Sequence, residues 1–310
     1  CHLHCQDQLH TSKAAIEIYK NHFQFAYGTA SIMKTENVFF VVVCYCCATE
    51  KADLKFLEVN NQKVTMLEML QLLGVNRVVV YKTNCSADAQ RVLNYYSGLV
   101  EVIPWSLSEY LKVSRRANPY QDPGDIHYYG QVPALNDCLY RYMYRSKYIA
   151  LHDLDELILP QSLLFLRVVH PLKKVFTFEN NWIPSEFELP PPKPNTLPPQ
   201  VQWQNISGVN ILTHLYREPF NPILRQRNFK VIINPRVVFV TSVHRVIKSK
   251  KSCAVTAFSA LCVCRPRGPT SLKPKQLVYE GRLLSYSAHL TSAVNTVLKE
   301  TGLLPGDSIN

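Results

Sequence analysis

The chain has 310 residues, 47% of them hydrophobic and 18% charged, with a formal net charge of +11. Such a chain buries a sizeable core, in one large or two smaller domains. Its longest apolar run, Val38 to Ala48, is too short to span a bilayer, so no membrane anchor is expected within these residues; a chain that opens at Cys1 leaves room for a signal or anchor upstream.

The leading segment, residues 1–37, has the character of a stem. Its CHLHC (Cys1 to Cys5) resembles a metal cluster, but no second ligand pair follows at a finger-like distance, and zinc is not expected there. VFFVVVCYC reads as a buried strand, with Cys44, Cys46 and Cys47 as core residues. TMLEMLQLLG, 65–74, has helical apolar spacing and a terminal glycine, and RVVVYK, 77–82, is a second strand. Ser86 caps a helix through Ser97, LVEVIPW (99–105) is a third strand, and Val132, Leu135, Leu139, Tyr142 and Met143 stripe one face of a helix that feeds YIAL. Repeated strand-helix-strand units predict right-handed crossovers and a mainly parallel sheet, with ligands beyond the carboxyl ends of its strands.

The second half is less regular. Residues 183–200 are proline-dense enough for an extended or mobile loop. VNILTHLY and KVIINPRVVFVTSVH are strand-like, the latter broken at Asn234-Pro235 and ending at His244. A basic tract from Lys248 to Lys275 interleaves proline and glycine without aromatic platforms, which predicts a solvated basic loop rather than a nucleic-acid groove. A final helix spans Ser287 to Thr301. The expected division is an α/β half at 38–160 and a second half at 161–310. Asn84-Cys-Ser86 and Asn205-Ile-Ser207 match the N-glycosylation pattern and agree with a secretory compartment.

The chemistry concentrates in YIALHDLDELILP, 148–160, where a strand runs from the core into Asp153, Asp155 and Glu156. Like charges beside an apolar wall repel and lose hydration, so a positive group is expected between them. Period-two geometry sets Asp153 and Asp155 on one side, where two carboxylates can hold a hard divalent cation and leave positions open for diphosphate oxygens. A solvated turn at a strand end is the plain alternative. Haloacid-dehalogenase-like phosphatases also space two aspartates this way, but they usually want Thr or Val where Leu157 stands.

HYYGQ (127–131), LNDCLYRYMYRSKYIALHDLDELILP (135–160) and KVIINPRVV...TSVH (230–244) resemble glycosyltransferase family 92, as do LLGVNRVVVY, GLVEVIPW and GVNILTHLYREP. The resemblance implies a GT-A fold, Rossmann-like with a mainly parallel sheet and an irregular acceptor-side region. It implies inverting, Mn²⁺-dependent (or Mg²⁺-dependent) transfer of galactose from UDP-galactose to a glycan. It also implies a type II Golgi membrane protein with a luminal catalytic domain, whose partners are a nucleotide sugar and a glycan acceptor, not nucleic acid.

By position, the resemblance gives Asp153, Asp155 and His244 to the metal, Lys230 to the diphosphate, and Gln131 and Asp137 to the donor sugar. Asp137 has a second reading, as a partner of Arg141 four residues on. Inversion needs a carboxylate base; Glu179 is preferred, with Glu218 the other candidate by location and Glu156 a support to the metal. Residues 44–63 and 248–272 depart from the family pattern, which keeps open a catalytically inactive glycan-binding relative of the same fold.

Overall fold

A computed structural model describes residues 39–43, 55–116, 118, 120–153, 156–159, 175–192, 211–219, 229–250, 255–267 and 270–304. The leading segment with CHLHC, Cys44, Cys46, Cys47, Asp155, most of the proline-dense stretch and the Asn205 sequon lie outside them.

The first half alternates β1 (Phe39–Val43), α1 (Lys55–Leu72), β2 (Arg77–Lys82), α2 (Ala87–Tyr95), β3 (Val100–Pro104), α3 (Gln131–Arg141) and β4 (Tyr148–Leu151). Its boundaries follow local chemistry. α1 ends where Gly74 takes φ +77° and Val75 N–H reaches back to the Leu70 carbonyl, a left-handed stop that glycine makes without steric cost. α2 begins where the Ser86 hydroxyl accepts from the Ala89 N–H at 3.0 Å. α1 starts earlier than the apolar spacing of 65–74 predicts.

The second half supplies β5 (Leu157–Leu159), β6 (Val175–Pro184), β7 (Tyr216–Arg217), β8 (Phe229–Ile233), β9 (Val238–Thr241), β10 (Val246–Ser249), β11 (Val255–Arg267), β12 (Val278–Tyr279) and α4 (Ser287–Glu300). Eight strands form one sheet in the order β3-β2-β1-β4-β8-β6-β11-β5. Strands from both sides of residue 160 therefore share it.

The sheet is mixed. β3, β2, β1 and β4 pair in parallel, as the strand-helix-strand rhythm predicts. β8 runs antiparallel to both β4 and β6, and β5 antiparallel to β11. Among the described residues no α-helix separates the strands from β5 to β12, whereas helices alternate with the parallel strands of the first half. Two further expectations are corrected. Of VNILTHLY the described residues, 211–216, are not a strand before Tyr216, which pairs on Tyr279, although Ile211, Leu212 and Leu215 are buried. The basic tract is not a loop throughout, because Val255–Arg267 is a sheet strand between β6 and β5.

Alternation along the strands divides the core. Val78, Val80, Ala150, Phe176 and Ile232 face the side covered by α1, α2 and α4, whereas Val79, Tyr81, Ile149, Leu151, Val231 and Ile233 face α3. Helices thus cover both faces of the sheet.

Candidate active site

Asp153 and Glu156 close a tight turn. Glu156 N–H donates to the Asp153 carbonyl at 3.1 Å, and Asp153 N–H donates back to Glu156 Oε2 at 3.2 Å. The turn leaves the carboxyl end of β4, which lies between β1 and β8. Strand order reverses beside β1, and open α/β sheets bind ligands in the crevice outside such a reversal.

Lys230, the second residue of β8, supplies the positive group. Its side chain is fully buried, with Nζ 2.6 Å from Glu156 Oε2 and 3.1 Å from Asp153 Oδ2. It is therefore not a solvent-exposed cation at the strand end. Burial alone would raise the Glu156 carboxyl, but the ammonium and the Asp153 N–H outweigh it and hold that carboxyl below its usual range. Gln131, first residue of α3, donates from Nε2 to Asp153 Oδ1 at 3.0 Å, so both Asp153 oxygens are oriented. Asp153 keeps 20% of its side chain exposed.

Two histidines border the turn. His152 is buried and donates from Nδ1 to the Asp153 carbonyl at 2.9 Å. His244 sits between β9 and β10 and donates from Nδ1 to the Phe229 carbonyl at 3.2 Å. Burial above all holds both below the ordinary imidazole range. A carbonyl can only accept, so each neutral ring carries its proton on Nδ1 and keeps a lone pair on Nε2.

The approach to Gln131 is strained. Tyr128, Tyr129 and Gly130 take φ of 44°, 53° and 69° in succession. Non-glycine residues in that region are costly, and such strain collects at functional sites. A Cβ on Gly130 would press on Leu107 Cδ1 and stand 3.1 Å from Trp105 Nε1, so a side chain there must displace the leucine as well as bear the positive φ.

The structure brings Gln131, Asp153, Glu156, Lys230 and His244 together. Asp137 is engaged elsewhere in α3: it accepts from Tyr81 and from Arg141 Nε at 2.8 Å, the pairing its spacing allowed. Glu179 has its backbone in β6 opposite Phe229, the residue before Lys230 in β8, and its side chain lies outside the description. Glu218 accepts from the Thr270 hydroxyl at 2.6 Å. Sequence reasoning missed His152 altogether, since a ring bonded to a main-chain carbonyl leaves no trace in residue spacing. It also gave Glu156 only a supporting place.

Among the described residues no group of three His, Cys, Asp or Glu stands ready for a metal, Asp155 being outside them. The donor set nevertheless suits one. Asp153 is oriented and partly exposed with lone pairs to spare, and His244 offers a neutral imidazole. The sequence places three carboxylates here against one lysine, leaving two formal negative charges, the complement of one divalent cation.

No curated protein matches the chain. Among solved structures, one titled "Crystal Structure of a Mycobacterial Protein" shares 9% identity over 87% of this chain and 76% of that chain, at a TM-score of 0.29, too slight a likeness to bear on fold or function. The family model of glycosyltransferase family 92 matches residues 42–260, a span that runs from the last two residues of β1 through 44–63, the acidic turn, Lys230 and His244. With the greater part of its length matched in this way, the chain belongs to glycosyltransferase family 92, whose members move a sugar from a donor to an acceptor.

Proposed function

We propose that the chain is a metal-dependent, inverting galactosyltransferase of GT-A architecture, taking galactose from UDP-galactose to a glycan. The observation that carries this reading is the buried Lys230 ammonium locked onto Asp153 and Glu156 at the end of β4. A lysine so placed fixes the acids while neutralising only one of their charges. The parallel order β3-β2-β1-β4, with helices on both faces, supports the Rossmann-like part of the reading.

Asp153, Asp155 and His244 would hold Mn²⁺, or Mg²⁺, and the ion would offset the charge that builds on the departing uridine diphosphate. Gln131 keeps the Asp153 carboxylate turned to its task and, with Asp137, lies in the block assigned to the donor sugar. Lys230, assigned to the diphosphate, offsets part of the negative charge of the acids beside it. Glu179 is the proposed base: it takes the acceptor hydroxyl's proton as that oxygen bonds the anomeric carbon and the bond to UDP breaks on the opposite face. The natural setting of this chemistry is the Golgi lumen, with the enzyme held as a type II membrane protein by an anchor outside these residues.

Calorimetric titration with UDP tests the reading. Binding should require Mn²⁺, and Asp155→Ala should abolish the metal-dependent part while the fold survives; unchanged affinity in that variant counts against the assignment. Incubation with UDP-galactose and Mn²⁺ should release UDP. Glycan binding without turnover would instead identify a non-catalytic relative of the same fold.

A further inference from the structure

A second charged cluster lies away from the acidic turn, on the two-stranded ribbon of β7 and β12. Arg217 pairs in register with Val278, and Glu280 N–H donates to the Leu215 carbonyl at 2.7 Å, so Arg217, Val278 and Glu280 share one side of the ribbon. Glu280 is 9% exposed and is the one carboxylate, among the described residues, within ion-pair reach of two guanidinium groups: Arg282 Nε at 2.8 Å and Arg217 Nε at 3.8 Å.

Two cations sharing one anion leave a positive charge uncompensated. The hydrogen bonds are also incomplete. Arg217 NH1 donates to the Glu218 carbonyl at 3.1 Å, but its Nε, at 3.8 Å from Glu280, is too far for a hydrogen bond. Arg217 Nε and Arg282 NH1 are buried without an acceptor among the described residues. Leaving those donors unmade costs stability, and the two side chains, 17% and 31% exposed, have hydrogen-bonding capacity left for an acceptor. No other carboxylate among the described residues is within ion-pair reach of either arginine. Glu218 takes the Thr270 hydroxyl and Glu186 takes the Thr270 N–H at 3.0 Å.

Its position assigns the cluster to the acceptor side. β4 and β6 run in the same direction, each antiparallel to β8, so their carboxyl ends share one rim. Glu218 N–H donates to the Trp182 carbonyl at 2.7 Å, which ties Arg217 to β6 three residues beyond Glu179. At strand rise that is about 10 Å farther along β6 than the level of Phe229, the neighbour of Lys230. Trp182 is exposed at the same strand end, and a flat indole face offers apolar surface to the C–H face of a sugar ring.

We propose that Arg217 and Arg282 form an anion subsite for a carboxylate carried by a sugar of the glycan acceptor, an inference that rests on the transferase reading above. A planar carboxylate matches the guanidinium fork. The donor's phosphates have their place at Lys230 and the acidic turn.

Methyl glucuronide and methyl glucoside, titrated separately into the full chain, test the subsite without requiring turnover. The glucuronide should bind at least about tenfold more tightly, since a charge-assisted bidentate contact is added to the same ring. Arg282→Lys keeps the net charge but loses the fork, and should erase most of that preference; Arg217→Gln should do likewise. Mn²⁺-dependent UDP affinity should stay as in the parent chain in both variants. Equal affinity for the two sugars overturns the proposal, and so does a preference that survives Arg282→Lys, which would mark general attraction to a basic protein. Competition between glucuronide and UDP also overturns it, by placing the arginines on the donor diphosphate. If UDP fails to bind while the glucuronide preference holds and follows both variants, the donor reading fails and the anion site stands.

Discussion

Lys230 is the residue whose environment departs furthest from expectation. An ammonium with no solvent contact persists only because Glu156 and Asp153 meet it. Lys230→Met should therefore destabilise the chain by about 3–5 kcal/mol, read as a lowered urea midpoint, because it strands buried carboxylates rather than merely deleting one attraction. Acid should act in two stages. The unfolded chain protonates its histidines near pH 6.5, while the folded chain keeps His152, His214 and His244 neutral below that value through burial. Stability should begin to fall as pH drops through that window. Glu156 has a depressed folded value, so its contribution is present above about pH 4.5 and is lost as pH falls further. Urea midpoints measured from pH 7.5 to pH 3 should show both limbs, and Glu156→Gln should flatten the lower one. A midpoint independent of pH between 7 and 5 would refute the histidine part.

At the scale of elements, the most consequential piece is the turn of Tyr128, Tyr129 and Gly130, which aims Gln131 at Asp153. Gly130→Ala should cost about 1–3 kcal/mol, since a methyl group there meets Leu107 and Trp105 as well as an unfavourable φ. Gly74→Ala, also at positive φ but with open space around its Cβ position, should cost less. Thermal melts of the two variants make the comparison. This scale also divides what the sequence could disclose from what it could not. The Ser86 cap, the Gly74 stop, β2, β3 and α4 are set by local period and end chemistry, and were legible. The direction of β8 was not, because strands far apart in the chain choose it. β11 was hidden for another reason: flanking lysines and arginines outweighed the apolar, β-branched centre VTAFSALCVC in the reading of that tract. At the site, Lys230 and His244 came from family resemblance, whereas the exchange between Asp153 and Glu156 depends on a turn that composition does not specify.

Across the whole molecule, stability should be graded by how many neighbours each strand has. β2, β4 and β8 are hydrogen-bonded on both edges and packed on both faces, while β9 with β10 and β7 with β12 form separate two-stranded ribbons. Hydrogen exchange should be slowest in the first group and faster by orders of magnitude in the ribbons, where opening needs no disruption of the large sheet. Uniform protection would contradict that gradient. The place of β8 has a further consequence for synthesis. The carboxylates of 153–156 leave the ribosome long before the lysine that neutralises them exists, so a nascent chain that stops short of Phe229 carries mutually repelling acids it cannot bury. The amino-terminal half must wait for β8 before its acidic corner can close, and a fragment ending there should remain sensitive to protease at that corner, however well its parallel strands have assembled.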